Sequence, residues 1–127
     1  MKIKNKYKFV NFLWDKKKET DLKKSQIDLF LYRSNLLGSD LRITNFGGGN
    51  TSCKTVEKDP ITKNKVNVMW IKGSGGDIGT LKRDGIAGLY VDKIHELKKV
   101  YKGIDYEDDM VKLLNYCIYD LDSKPPS

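Results

Sequence analysis

The stretch Asn45-Phe46-Gly47-Gly48-Gly49-Asn50-Thr51-Ser52 places three glycines in a row, and a second cluster follows at Lys72-Gly73-Ser74-Gly75-Gly76-Asp77-Ile78-Gly79. Glycine has no side chain to bury and weakens any helix or strand that it interrupts, so neither cluster belongs to a core. The backbone N–H groups of such loops can converge on an anion, and nearby hydroxyl and amide side chains add donors. The two clusters together predict a phosphate site, although either one alone is also typical of a tight turn.

Two common phosphate motifs do not fit these clusters. A P-loop requires G-x-x-x-x-G-K-[ST], but Lys72 precedes its glycines instead of following them. The dinucleotide fingerprint G-x-G-x-x-G begins at Gly73 and Gly75, but its third position falls on Ile78 and the next glycine comes one residue late. Neither of these nucleotide-binding folds is therefore indicated.

The segments beside the two clusters predict a sheet that carries both of them. Short strands are predicted over 42–44, 52–57, 66–71 and 86–91, and the turn-forming residues 59–65 join two of them as a hairpin. The first cluster precedes strand 52–57, and the second follows strand 66–71. We therefore expect both loops at one edge of the sheet, where they could share a ligand.

The pattern also predicts three helices. Ser25 and Asp28 form a capping pattern for a helix over about 26–37, and Gly38 stands where a left-handed C-terminal cap is expected. Asp92 is predicted to cap a helix that runs to about Lys102 and is ended by Gly103. Asp105 is predicted to cap the next helix, whose inner face carries Met110, Leu113, Leu114 and Cys117.

The charge of the chain is concentrated at its beginning. The net charge of +7 looks like a nucleic-acid signal, but residues 1–24 hold nine Lys against three acidic residues, whereas residues 25–127 hold fifteen basic against fourteen acidic residues. The 25–127 body therefore has no basic stripe for a nucleic-acid backbone. We interpret 1–24 as a solvated basic segment and expect no nucleic-acid partner.

Composition and cysteine content favour a cytoplasmic globular protein. The chain has 127 residues, 39% of them hydrophobic, which is enough for one domain or part of one. Cys53 and Cys117 are far apart and match neither a C-x-x-C pair nor a disulfide framework. We find no apolar run of membrane-spanning length and no signal-peptide cleavage site, so we expect no membrane association.

Candidate catalytic side chains are few. His95, the only histidine, falls in a predicted helix away from both glycine loops, which argues against a metal ligand. Asp108 and Asp109 lie in the first turn of a predicted helix, where acidic residues are expected from the helix dipole. Asp77 and Asp84 lie in or near glycine-rich turns, where turn formation is the commoner role for Asp. Spacing alone predicts an anion site without a catalytic centre.

A series of ordered motifs resembles the start of the bifunctional rhamnulose-1-phosphate aldolase/alcohol dehydrogenase proteins, whose first part is a class II aldolase/adducin domain. The resemblance covers roughly residues 13–127. Its motifs are Leu13-Trp14-Asp15, Tyr32-Arg33-Ser34-Asn35-Leu36-Leu37-Gly38, Thr44-Asn45 followed by the first glycine cluster, Glu57-Lys58-Asp59-Pro60, Trp70-Ile71 followed by the second glycine cluster and Thr80, and Lys82-Arg83-Asp84-Gly85.

The resemblance implies an α/β fold with a central β-sheet flanked by helices, assembly as a homo-tetramer, and zinc as the cofactor of the intact domain. It implies a sugar phosphate as substrate. The residues that match the family's phosphate pocket are Gly49, Asn50, Ser74 and Gly75, with Thr51 and Ser52 as weaker candidates. In an intact relative the implied reaction is retro-aldol cleavage of rhamnulose 1-phosphate to dihydroxyacetone phosphate and L-lactaldehyde.

The sequence also departs from the family pattern. In the family, a proline-serine turn resembling Pro126-Ser127 is followed by the acidic catalytic residue, then by a His-x-His pair and a later histidine that bind zinc. The resemblance therefore implies that 25–127 is the N-terminal portion of an aldolase domain, truncated before the zinc ligands. A non-catalytic adducin-like binding module and an inactive truncated fragment remain as alternatives.

Overall fold

The computed structural model describes residues 12–125, in which a three-stranded sheet is combined with short helices. Residues 1–11 of the basic N-terminal segment and the Pro126-Ser127 turn lie outside this range. The helices and strands are α1 (Lys16–Leu22), α2 (Gln26–Ser39), β1 (Ser52–Lys58), β2 (Lys65–Lys72), β3 (Ile86–Tyr90), α3 (Val91–Glu96) and α4 (Glu107–Leu113). Short 3₁₀ helices lie at Ile78–Thr80, Arg83–Gly85, Leu97–Lys99, Ile104–Tyr106 and Leu114–Cys117.

The sheet is antiparallel with the strand order β1-β2-β3. Ser52 pairs with Ile71 and Lys58 with Lys65, so β1 and β2 form the hairpin that the turn residues predict. Lys72 at the end of β2 pairs with Ile86 at the start of β3. The predicted mixed α/β architecture, with a central sheet and flanking helices, is confirmed.

The hydrophobic core lies between α2 and one face of the sheet. Val68 and Trp70 are two residues apart on β2 and therefore lie on the same face of the sheet. Both pack with Phe30 of α2, together with Leu81 and Ile86. Burying a side chain of this kind stabilises the fold by roughly 1.5–3 kcal/mol. The indole N–H of Trp70 is not left unpaired, because it donates to the Thr55 hydroxyl at 2.8 Å.

Residues on the opposite face of β3 are buried as well. Ala87 and Leu89 lie on the face opposite to that of Ile86, and their side chains are 0% and 2% exposed. Leu89 forms an isolated bridge with Ile118, so the segment after α4 runs along the outer edge of β3. Cys117 is buried, as its position on the inner face of the last helix predicted.

Helix α2 begins as predicted but does not end as predicted. The Ser25 hydroxyl accepts a hydrogen bond from the Asp28 amide at 3.2 Å, which confirms the capping pattern. Gly38 is not a left-handed cap, since α2 continues through Ser39 and ends at Asp40. A methyl group on Gly38 would lie 2.1 Å from the Gly79 nitrogen. Glycine is therefore required at position 38 for a close approach of two backbones.

The predicted strand over 42–44 is wrong, because this segment forms a turn. The Asp40 carboxylate accepts from the Arg42 amide at 3.0 Å and from the Arg42 guanidinium at 2.8 and 2.9 Å. These bonds to Arg42 lower the pKa of Asp40 to about 2. A local side-chain contact of this kind offers the backbone an alternative to a sheet ladder.

The two later helices are shorter than predicted. Helix α3 ends at Glu96 and continues as a 3₁₀ helix, and α4 is preceded by another. Asp92 and Asp105 are not the capping residues; the caps are Tyr90 and Tyr106, neither with a side-chain hydrogen bond. His95 lies in α3, as predicted.

The described part of the basic N-terminal segment contains α1. The Asp15 side chain caps this helix by accepting from the Lys17 amide at 2.8 Å. The Trp14 ring contacts the Tyr32 ring of α2, with centroids 4.9 Å apart. Within residues 12–125, no helix has the length and apolar character needed to cross a bilayer.

Candidate functional site

Both glycine clusters lie at the same end of the β1–β2 hairpin, as the sequence predicts. The first cluster leads into β1 at Ser52, and the second leaves β2 after Lys72. The backbone N–H of Lys72 donates to the carbonyl of Thr51 at 3.1 Å, which extends the ladder up to the two loops. We refer to residues 45–51 as the first loop and to residues 73–77 as the second loop.

The two loops are also linked by packing. A Cβ on Gly49 would lie 2.9 Å from Cδ1 of Ile78, the residue that follows the second loop. Ile78 is 3% exposed, whereas Gly49 is exposed to solvent. The first loop therefore rests on the 3₁₀ helix Ile78–Thr80, and the distance between the loops depends on where that helix lies.

The second loop presents its backbone to solvent. Gly75 and Gly76 both have φ of +78°, a conformation that side chains disfavour, and a Cβ at either position would meet no atom within 4 Å. Their N–H groups find no acceptor among residues 12–125. The Ser74 amide, in contrast, donates to the Pro125 carbonyl at 2.9 Å. Among residues 12–125, the donors of this loop without an acceptor are thus the Gly75, Gly76 and Asp77 amides and the exposed Ser74 hydroxyl.

Asn50 is positioned to donate from the first loop. Its side-chain oxygen accepts from the Thr51 amide at 3.0 Å, which turns the oxygen toward the backbone. The NH₂ group of the same side chain has no acceptor within the described part of the chain and faces outward on an exposed residue. Asn50 and Gly49 therefore remain candidates for anion contact, together with Ser74 and Gly75.

The two weaker candidates, Thr51 and Ser52, are placed differently. The Ser34 hydroxyl donates its single proton to the Phe30 carbonyl at 2.7 Å, so the Thr51 hydroxyl must donate in its 3.0 Å contact with Ser34. The hydroxyl proton of Thr51 is therefore used in a hydrogen bond to Ser34 of α2. Ser52 is the next residue along the strand, and its side chain leaves the sheet on the other face.

Lys72 is a candidate that sequence analysis missed. It is 4% exposed, at the junction of both loops with the sheet. Its ammonium donates to the Gly73 carbonyl at 3.3 Å, and no carboxylate of residues 12–125 lies within ion-pair distance. Burying an ammonium without an anion is unfavourable, so an anionic ligand at the loops would gain a charge partner. The signal in the sequence was a lysine on the buried register of β2, two residues after Trp70.

The environments of Asp77 and Asp84, the two aspartates near glycine-rich turns, differ in the structure. Asp84 is exposed in the 3₁₀ helix Arg83–Gly85. Asp77 ends the second loop, and its Oδ1 atom is buried without a hydrogen-bond partner among the described residues. Because this atom is closed to solvent, we do not count it among the groups that a ligand could contact.

The side chains present do not fit the zinc site that the resemblance implies. Across residues 12–125, no three His, Cys, Asp or Glu side chains lie close enough to hold a metal ion. His95 is exposed on α3, and burial raises the pKa of the Cys53 and Cys117 thiols, which disfavours the thiolate that metals bind. We therefore derive no chemical step through zinc from this chain.

Comparison with known proteins relates this fold to class II aldolases. The chain matches no family model. It is similar to the solved N-terminal class II aldolase domain of a conserved protein from Thermoplasma acidophilum, with a TM-score of 0.70 and 30% sequence identity over 99% of this chain and 52% of that one. It is also 43% identical over 117 residues to the uncharacterized oxidoreductase YuxG of Bacillus subtilis (strain 168), covering 92% of this chain and 16% of that protein. The chain thus has the fold of part of a class II aldolase domain and spans only a fraction of either relative.

Proposed function

We propose that this chain supplies the phosphate-binding part of a class II aldolase-type site that acts on a sugar phosphate. The phosphate would lie between the first and second loops. Its contacts would be the backbone of Gly49, Gly75 and Gly76, the side chains of Asn50 and Ser74, and the ammonium of Lys72.

The observation that supports this proposal is that donors without an acceptor among residues 12–125, and a buried ammonium with no carboxylate of those residues beside it, lie at the same end of the sheet. Consecutive backbone N–H groups in a left-handed glycine loop form a concave anion site. Hydrogen bonds from such groups strengthen when the acceptor is charged. The Lys72 ammonium adds a full positive charge where the two loops meet the sheet.

For the whole protein we propose cleavage of rhamnulose 1-phosphate to dihydroxyacetone phosphate and L-lactaldehyde. The aldolase-domain neighbour supports the lyase half of this proposal, and the oxidoreductase description of the Bacillus subtilis relative agrees with a fused dehydrogenase part. Assembly as a homo-tetramer in the cytoplasm, with zinc held by residues outside this chain, belongs to the same proposal.

The role of residues 12–125 in such a reaction is positioning. Binding energy from a phosphate remote from the cleaved bond can orient the reacting carbon atoms and be used in the transition state. The acid–base and electrophilic groups would come from elsewhere in the protein.

The test is a titration of the ¹⁵N-labelled chain with inorganic phosphate and with dihydroxyacetone phosphate, followed by NMR. We expect saturable shifts at Gly49, Asn50, Gly75 and Gly76. Replacing Lys72 with Met removes a charge-assisted hydrogen bond and is expected to weaken binding at least about tenfold. The control is Lys54→Met, which removes a charge of the same sign from an exposed position on β1.

The two variants separate specific binding from general attraction to a basic protein. Equal weakening by Lys54→Met and Lys72→Met would assign the effect to net charge alone. Shifts confined to the lysine-rich helix α1, or the absence of saturable shifts at both loops, would contradict the proposal.

A further inference from the structure

One face of helix α2 contacts the first loop and the 3₁₀ helix Ile78–Thr80 that follows the second loop. Gly38 lies about one turn after the adjacent residues Ser34 and Asn35. Ser34 binds the Thr51 hydroxyl at the end of the first loop, and Gly38 packs against Gly79 just beyond the second loop. The helix that fills the core with Phe30 thus also meets the segments that define the candidate phosphate site.

Asn35 makes the most specific of these contacts. Its side-chain nitrogen donates one hydrogen bond to the Ile78 carbonyl and another to the Leu81 carbonyl, both at 3.0 Å. These carbonyls flank the 3₁₀ helix Ile78–Thr80, so one amide group holds both sides of it. Both protons of the NH₂ group are used, which no carboxylate or single hydroxyl could reproduce.

The same 3₁₀ helix supports the first loop. Because Gly49 rests on the Ile78 side chain, a shift of Ile78 moves the surface on which the first loop lies. Asn35 therefore controls the relative position of the two loops from a distance. Asn35 itself is half-buried beneath the 3₁₀ helix, and its donors point to the two carbonyls instead of the loop surface.

We propose that Asn35 is a positioning residue of the phosphate site. By fixing Ile78 it sets the spacing between the first and second loops, and thereby the affinity for phosphate, without contacting the ligand. This inference rests on the proposed function for its ligand, but its structural part, the coupling of Asn35 to Gly49 through Ile78, can be measured without any ligand.

The experiment compares Asn35→Ala with Leu31→Ala. Leu31 lies one turn earlier on α2 and packs against the core cluster, so its truncation destabilises the protein while the hydrogen bonds of Asn35 are kept. We expect Asn35→Ala to speed hydrogen exchange at the Thr80 and Leu81 amides, to shift the Gly49 resonance, and to weaken phosphate binding about tenfold. Leu31→Ala should lower the unfolding midpoint but leave the phosphate Kd within about twofold, because it removes core packing and leaves the hydrogen bonds of Asn35 to Ile78 and Leu81 in place.

A second variant covers the case in which Asn35→Ala does not fold. Asn35→Ser keeps one donor and is expected to lie between wild type and Asn35→Ala in exchange rate and in phosphate affinity.

Each outcome bears on one proposal or the other. Unchanged phosphate affinity in the Asn35 variants, or an equal loss of affinity in Leu31→Ala, overturns the positioning role. If wild type binds no phosphate, the proposed function fails, and the coupling is then judged from exchange at Thr80 and Leu81 and from the Gly49 resonance. If Asn35→Ala changes neither the exchange rates of the Thr80 and Leu81 amides nor the Gly49 resonance, the coupling of Asn35 to Gly49 is overturned as well.

Discussion

The two ends of the β1–β2 hairpin are built in opposite ways. At the far end, the turn between Lys58 and Lys65 is closed by Asp59, whose Oδ1 accepts from the Ile61 and Thr62 amides at 2.8 Å each. Its Oδ2 accepts from the Tyr90 hydroxyl at 2.8 Å. At the near end, the loops leave the Gly75 and Gly76 amides without an acceptor in the described part of the chain, and a buried lysine without a carboxylate.

This difference indicates that the far end of the hairpin serves the fold, whereas the near end carries the candidate binding site. Buried or turn-forming polar groups are normally paired, because an unpaired group loses its hydrogen bonds to water. At the far end, the backbone N–H groups of residues 59 and 61–64 all donate to acceptors within the turn. The near end presents backbone donors that have no acceptor among residues 12–125, beside the buried ammonium of Lys72, and this is where we propose phosphate to bind.

The largest expected effect comes from the packing beneath the near end. In Gly38→Ala the new methyl group would lie 2.1 Å from one backbone atom of Gly79 and 2.4 Å from another, so α2 and the 3₁₀ helix must separate. We expect a loss of about 3 kcal/mol in the free energy of unfolding, measured by urea denaturation. The control Ser39→Ala, at the neighbouring exposed position, should change it by less than about 0.5 kcal/mol. Similar values for both variants would show that the close approach does not constrain the near end.

Lys72→Met should affect stability and binding in opposite directions. Removal of a buried ammonium that lacks a carboxylate is expected to raise the free energy of unfolding by about 1 kcal/mol. The phosphate affinity should fall, as described above. A variant that loses both stability and affinity would indicate that the lysine is satisfied in the free protein and serves the fold instead.

At the far end, Asp59→Ala should lower the melting temperature by about 3 °C without changing phosphate affinity. Hydrogen bonds from the Thr62 amide, the Tyr90 hydroxyl and the Ile61 amide lower the pKa of Asp59. Its stabilising contribution is therefore present above the ordinary Asp pKa of about 3.9 and is lost as the pH falls through the lowered value in the folded state. The melting temperature of Asp59→Ala should accordingly depend less on pH in acid than that of wild type. A change in phosphate Kd would show that the two ends are coupled.

The smallest expected effect concerns Tyr90 at alkaline pH. Burial, and then the hydrogen bond to Asp59, raise the pKa of Tyr90 to about 12. Because the folded state favours the neutral phenol, this contribution is complete below the ordinary value of about 10 and is lost as the pH rises to about 12. Absorbance at 295 nm should show a tyrosine that ionises near pH 12, and this step should be lost in Tyr90→Phe but kept in Tyr119→Phe. Tyr119→Phe is the matched control, since the pKa of Tyr119 is also raised by burial.

Much of the fold could be predicted from local patterns. Ser25 with Asp28 marked the start of α2, and the turn residues after Lys58 marked the hairpin, because caps and turns depend on residues close in sequence. The same local logic failed at 42–44, where the Asp40–Arg42 contact replaced a strand. Gly38 was assigned to a cap because its real partner, Gly79, lies far away in the sequence.

The candidate site was predictable in its loops but not in its individual atoms. The glycine clusters located Gly49, Asn50, Ser74 and Gly75, whose phosphate contacts remain predictions. Sequence could not show that the Thr51 hydroxyl is committed to Ser34, because that contact joins a loop to a helix. The role of Asn35 was equally hidden, since both of its acceptors lie more than 40 residues away in the chain.

The sequence by itself determined that two glycine loops flank an antiparallel hairpin and lie at the same end of it, because strand alternation and turn chemistry are local properties. Only the tertiary structure decided which loop donors lack an acceptor among residues 12–125, that Lys72 is buried with no carboxylate of those residues beside it, and that α2 contacts the first loop and the 3₁₀ helix after the second. These features depend on which surfaces come into contact once the core around Phe30 and Trp70 has formed. Such contacts join residues far apart in the sequence, so a local sequence pattern does not predict them.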